Sequence, residues 1–277
     1  MATSVPALTL ALLLAASRGS AQSLMVASPA VAIDDRTHTG SVILINDGAD
    51  PVETSISVFY GYPVTDSLGR MFLRTFTSVD DTMPSAAEWV QSFPRRFQVP
   101  ARSRRTVRLL VTPPEGLPSG EYWARLVIAA QEGRVAVAGV ADTSNVRVAL
   151  NLVVRSIIGL FYRQGSVTTG VTLDKLRAAV EGDSIVGRGL LTRQGNAAFV
   201  GSLTAELKDS AGAVRARTLL PLGVYYTLEP RFALSRREIP AGRYQLAVQV
   251  ASVRPDVPAG VLLAASPVAQ TIDVVLQ

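Results

Sequence analysis

The sequence predicts an all-β protein made of two β-sandwich domains. Three observations carry this. Apolar residues recur with a period of two along most of the chain. The alternating runs are short and are separated by Gly, Pro, Asn and Asp turns, which fits a sandwich and not a series of βαβ units. A composition of 48% hydrophobic and 18% charged residues over 277 positions supplies apolar surface for one large core or two ordinary ones, and excludes wholesale disorder.

The first residues stand apart from this pattern. Residues 5–16 (VPALTLALLLAA) form an apolar run of secretory-leader length, followed by the small residues Gly19, Ser20 and Ala21. The run is shorter than the roughly 20 residues that cross a bilayer. The spacing predicts a signal peptide over 1–21, cleavage after Ala21, and an exported chain that begins at Gln22.

Strands are then expected at 24–26, 30–33, 41–45, 55–60, 106–111, 120–130 and 146–163. A short helical turn is expected within 83–92, and a long connection over 131–145. The second half repeats the style at 171–180, 184–193, 201–208, 214–220, 231–235, 243–250 and 270–276. Seven strands in that length fit one immunoglobulin-like sandwich. The domains are therefore read as 22–163 and 164–277, joined by a short linker.

Composition and motifs argue against chemistry. There is no Cys, so neither disulfides nor thiolate metal sites are available, and the single His38 leaves little for acid–base catalysis. Gly182-Asp183-Ser184-Ile185 resembles a hydrolase nucleophile block but lacks a late His; Gly-Asp between two strands reads as a hairpin turn. Asp34-Asp35 and Asp80-Asp81 lack the ligand spacing of a calcium loop. The net charge of +5 rests almost entirely on Arg, with Lys175 and Lys208 the two lysines. The run Arg95, Arg96, Arg102, Arg104, Arg105 and Arg108 reads as a charged strand edge; aromatic interleaving for base stacking is thin. No enzyme activity, cofactor, metal or nucleic acid is expected.

The strand over 146–163 is the most informative. Val146, Val148, Leu150, Leu152 and Val154 share one face; Arg147, Ala149, Asn151 and Val153 share the other. Such a row belongs either to a core or to a strand lent to another protein, whose backbone supplies hydrogen bonds while alternate side chains fill pockets. The pattern alone leaves both open.

Here the chain resembles the periplasmic pilus-assembly chaperones, the PapD-like family of two immunoglobulin-like domains set at an angle. The resemblance runs from about Leu24 to Arg163. It is carried by VILINDG at 42–48, FPRRFQVP at 93–100 leading to Val107-Arg108-Leu109, LPSGEY at 117–122, and LFYR at 160–163. Residues 191–196 (LTRQGN), Gly223-Val224-Tyr225 and Arg231 resemble, more loosely, divergent chaperones of spore-coat-U-type pili. The resemblance implies a non-enzymatic periplasmic chaperone that caps a pilin-like β-subunit by donor-strand complementation, with an outer-membrane usher as a second partner. It implies Val148, Leu150, Leu152 and Val154 as the subunit-binding row, and Glu121, Arg163 and Asp256 as a salt-bridge network between the domains. The chain departs from the family where Ala30 or Val31 and Gly159 replace two cations that hold a subunit's terminal carboxylate. Arg155 and Arg125 are substitute candidates. The competing reading is a structural or adhesive envelope module that uses the same scaffold without lending a strand.

Overall fold

The computed structural model describes residues 24–136 and 149–277, and all its regular elements are strands. The leader expected over 1–21 lies outside the described residues. The strands are β1 (Leu24–Val26), β2 (Ala30–Asp34), β3 (Thr39–Asn46), β4 (Val52–Phe59), β5 (Gly61–Thr65) and β6 (Met71–Thr75), then β7 (Val90–Phe93), β8 (Arg96–Val99), β9 (Ser103–Val111), β10 (Gly120–Ala136) and β11 (Ala149–Gln164). The second half holds β12 (Thr169–Glu181), β13 (Ser184–Gly195), β14 (Phe199–Lys208), β15 (Val214–Val224), β16 (Thr227–Leu228), β17 (Arg231–Ser235), β18 (Gly242–Ala251) and β19 (Val268–Leu276).

The first sandwich packs the sheet β1-β3-β9-β7 on the sheet β2-β11-β10-β4-β8. Alternation places Val42 and Leu44 of β3, Val107, Leu109 and Val111 of β9, and Leu126, Ile128 and Leu160 of the opposing sheet in one core. Asn46 closes that core at one end. Its buried amide donates to Asp50 O, Val99 O and Pro100 O at 2.8, 3.1 and 3.0 Å, while its Oδ1 accepts from Gly48 N–H at 2.9 Å. The turn at Asn46-Asp47-Gly48 therefore fixes the edge of the sandwich and meets the polar needs of a buried side chain.

The second sandwich packs β12-β13-β16, with β17 also on β13, against β15-β14-β18-β19. Leu191, Phe199, Leu203, Ala205, Leu207, Leu246 and Val250 fill its core. Gly182 has φ +56° and, with Asp183, turns β12 into β13, where Glu181 faces Ser184. The hydrolase-like tetrapeptide is a hairpin turn.

Several expectations change. Residues 83–92 form turns that lead into β7, with Trp89 N–H donating to Ala86 O, and no helix forms there. The strand expected to end at 130 runs on to Ala136. The antiparallel β5–β6 pair went unread in the sequence; its tip reaches the second sandwich, where Gly69 O accepts from Arg231 N–H at 2.8 Å and Ser67 O from Arg188 Nη1 at 2.9 Å.

Candidate functional site

Strands β10 and β11 form the longest antiparallel ladder, from Gly120↔Gln164 to Ala136↔Ala149. On its other side β11 pairs in parallel with β2, but only from Gly159↔Ala30 to Arg163↔Asp34. The register ends there because the N-terminal chain leaves this sheet: β1 pairs with β3 instead, and Ala27 N–H donates to Ile43 O. Among the described residues, no strand pairs with the outer edge of β11 over 149–158.

One row of β11 changes environment along its length. Ile158, Leu160 and Tyr162 are buried in the first core. The same parity then gives Val154, half-buried, and Leu152, 45% exposed. The backbone of Leu150 pairs with that of Val135; Val148 lies outside the described residues. The row belongs to the core at one end and is exposed at the other. The opposite face also carries exposed apolar side chains, Val153 at 47% and Ile157 at 48%. Ile157 was not singled out in the sequence, where core and surface apolar positions look alike.

Several other strand edges are guarded. β1, β7 and β8 are short. β15 carries Arg215, Arg217 and Pro221, and β12 carries charges and a bulge between Asp174 and Arg177. Such devices block edge-to-edge pairing. The 149–158 segment of β11 has Arg155 as its one charge and contains neither Pro nor Gly.

The sheet containing β11 meets the second sandwich through Ala30, Tyr60, Trp123, Phe161, Ala198, Tyr225, Val257 and Val261. Glu121 lies at this junction with 2% exposure. Its carboxylate accepts from Arg163 Nε at 2.9 Å, Trp123 Nε1 at 3.0 Å and Ala198 N–H at 3.0 Å. Burial pushes the Glu121 carboxyl up, and the Arg163 guanidinium and the other donors pull against it. Arg163 also donates to Gly260 O at 3.1 Å and to Val261 O. Glu121 and Arg163 thus meet each other and each reaches the second sandwich. Asp256 does not join them: it pairs with Arg254 at 2.7 Å, two residues away. The contact with that segment is made by backbone carbonyls, which carry no mark in a sequence.

Arg125 sits beside this junction, at the point where β2 stops covering β11. It pairs across the ladder with Gly159, and a Cβ on Gly159 would lie 3.2 Å from an Arg125 terminal nitrogen. Its Nε donates to Gly61 O at 2.9 Å, and its guanidinium lies 4.9 Å from the Tyr225 ring centroid. Burial raises the Tyr225 phenol, against the pull of Arg125. No carboxylate pairs with Arg125 among the described residues. Arg155 lies farther out, opposite Ala129.

No protein-family model matches the sequence, and no curated protein matches it. Chaperones are among the solved structures similar to the chain. The YadV chaperone aligns with TM-score 0.45 and 12% identity over 92% of this chain and 100% of that one. The Pseudomonas aeruginosa CupB2 chaperone aligns with TM-score 0.44 and 12% identity over 91% and 100%. A pre-assembly complex of the chaperone CsuC with the tip subunit CsuE, from archaic chaperone-usher pili of Acinetobacter baumannii, aligns with TM-score 0.44 and 13% identity over 91% and 98%.

Proposed function

We propose that this chain is a periplasmic chaperone that holds a pilin-like β-subunit by lending it the 149–158 segment of β11. The observation that supports this is the open edge of β11 over 149–158, beside the guarded edges of β1, β7, β8, β12 and β15. An open, nearly uncharged strand with apolar side chains invites pairing. A subunit whose sandwich lacks a strand supplies the matching need: its backbone groups pair with β11, and its pockets take Leu152 and Val154 with their row. Fully burying a Leu side chain contributes about 1.5–3 kcal/mol, so the row gives affinity as well as register. The resemblance of the motifs at 42–48, 93–100, 117–122 and 160–163 to pilus-assembly chaperones supports a pilin-like subunit as the partner.

Arg125 is the proposed anchor for the subunit's terminal carboxylate. A guest strand running parallel to β11 along the free edge meets β2 at Gly159 and can go no farther in line. Its carboxylate then ends beside a guanidinium that pairs with no carboxylate among the described residues, and charge-assisted hydrogen bonds hold such an end. In this reading 22–163 lends the strand and 164–277 walls the junction. The leader over 1–21 directs export, and an outer-membrane usher receives the complex. An N-terminus at Gln22 in chain recovered from the periplasm supports export; an intact Met1 contradicts it.

The test is Leu152→Asp in a chain co-expressed with a pilin-like subunit from the same genome. The exposed position is expected to tolerate the charge, leaving the thermal midpoint near that of the unaltered chain, while the subunit no longer co-purifies. Misfolding would place Leu152 in the core. A folded variant that still holds the subunit would favour the structural-module reading.

A further inference from the structure

The first sandwich has a second broad face, on the sheet that does not contain β11. The strands of that sheet, β1, β3, β9 and β7, hold no Asp or Glu. The core takes Val42 and Leu44 of β3 and Val107, Leu109 and Val111 of β9, so the alternate residues point to solvent. Register sets them in rows. Ile45 lies between Met25 and Arg104, and Ile43 lies beside Thr106. Ser41 and Phe93 flank Arg108, and Thr39 and Gln91 flank Leu110. Met25, Ile43, Phe93 and Leu110 are large apolar side chains left exposed.

The arginine run that reads in sequence as a charged edge is divided by this register. Arg105 turns to the Phe97 ring, 5.7 Å from its centroid. Arg104 and Arg108 stand among the apolar side chains of the exposed face, and neither has an ion pair among the described residues. Beside Arg108 is a hollow of about 730 Å³, lined also by Thr39, Ser41, Thr106, Phe93 and Leu110. One cation, hydroxyl donors and apolar side chains meet there, which is the donor set for a phosphate with hydrocarbon beside it.

A protein interface gathers apolar side chains at its centre and polar ones at its rim. Here the order is reversed. Arg108 and Thr106 occupy the middle of the face, with Met25 at one corner and Phe93 and Leu110 at the other. β9 is paired on both sides, so the face offers side chains and not backbone. A cationic face without acids, with apolar tips between its arginines, matches an anionic bilayer surface. We propose that this face docks on anionic phospholipid, with Arg104 and Arg108 on lipid phosphates and Met25, Ile43, Phe93 and Leu110 at the boundary of the acyl chains. The outer edge of β11 belongs to the other sheet, so docking and strand lending use different surfaces, and the inference holds whether or not a subunit binds.

Co-sedimentation with vesicles tests it, using chain recovered from the periplasm that begins at Gln22, so that the apolar run at 5–16 makes no contact of its own. Phosphatidylcholine vesicles with about one-third phosphatidylglycerol are expected to bind at least ~10-fold more tightly than phosphatidylcholine alone, and the difference should shrink as salt is raised. Arg104→Glu with Arg108→Glu should weaken binding to the anionic vesicles by at least ~10-fold. Ile43→Thr with Leu110→Thr should weaken it several-fold at every salt concentration, because apolar contact is lost. These positions are exposed, so the circular-dichroism spectrum and thermal midpoint should stay near those of the unaltered chain. Arg237→Glu with Arg243→Glu makes the same change of net charge on the second sandwich and should leave binding within ~2-fold. Equal weakening by the two charge reversals, or binding that neither the arginine pair nor the apolar pair alters, overturns the inference. Indifference to both kinds of vesicle would leave the face to an acidic protein and overturn it as well.

Discussion

Glu121 and Arg163 show how a residue pair can be read from motifs and still be only half described. LPSGEY and LFYR brought the two together, and the ladder sets Glu121 opposite Arg163 in register. The third member was misread because Asp256 finds Arg254 within its own turn, while Arg163 uses the carbonyls of Gly260 and Val261. Breaking a buried pair leaves an uncompensated charge and costs about 3–5 kcal/mol. Glu121→Ala should therefore lower the thermal midpoint clearly, and the double variant with Arg163→Ala should cost less than the sum of the single ones; additivity in denaturation would mean that the pair does not couple. Because the folded-state Glu121 carboxyl is raised, the unfolded chain releases this proton first as pH rises. Glu121's contribution to stability is thus largest below the ordinary carboxyl range and declines as pH rises toward the folded-state value. The stability difference from Glu121→Gln, followed by denaturant titration at a series of pH values, should fall in that direction; a difference that grows with pH contradicts the assignment.

At the scale of elements, β11 predicts two kinds of response within one row. Leu160 is fully buried, and Leu160→Ala should cost about 2–5 kcal/mol. Leu152→Ala, at the open end, should stay within roughly 1 kcal/mol in the free chain. Equal losses in urea titrations would deny the change of environment along the strand. Strands with strict alternation were legible: 231–235 has the same bounds in sequence and structure, and 184–193 is only extended, to Gly195. The β5–β6 pair was not legible because Pro63 interrupts its first strand and much of its support comes from the second sandwich, which no local pattern encodes. The short helical turn expected within 83–92 is a hydrogen-bonded turn at 86–89 without helix, for the converse reason. Its apolar residues Ala86 and Val90 pack into the sandwich core, and Ala86 N–H bonds to Trp123 O, which ties the segment to β10.

At the scale of the whole molecule, two supports fix the angle between the sandwiches. One is the Glu121 and Arg163 junction; the other is the β5–β6 hairpin, whose Gly69 has φ +76° and would set a Cβ 2.9 Å from the Arg231 backbone nitrogen. Gly69→Val should release the hairpin tip, and small-angle scattering should then show a broader distribution of shapes with little change in circular dichroism; an unchanged scattering curve would show that the junction alone sets the angle. The angle matters because it holds Tyr225 over Arg125, beside the end of the free edge. The central claim is that a guest strand occupies that edge. Amide hydrogen exchange of the chain, as monomer and in complex with its co-purified subunit, tests it most directly. Protection should rise over 149–158 and change little over 159–163, where β2 already pairs. Protection gained elsewhere, with 149–158 exchanging as in the free monomer, would contradict the account.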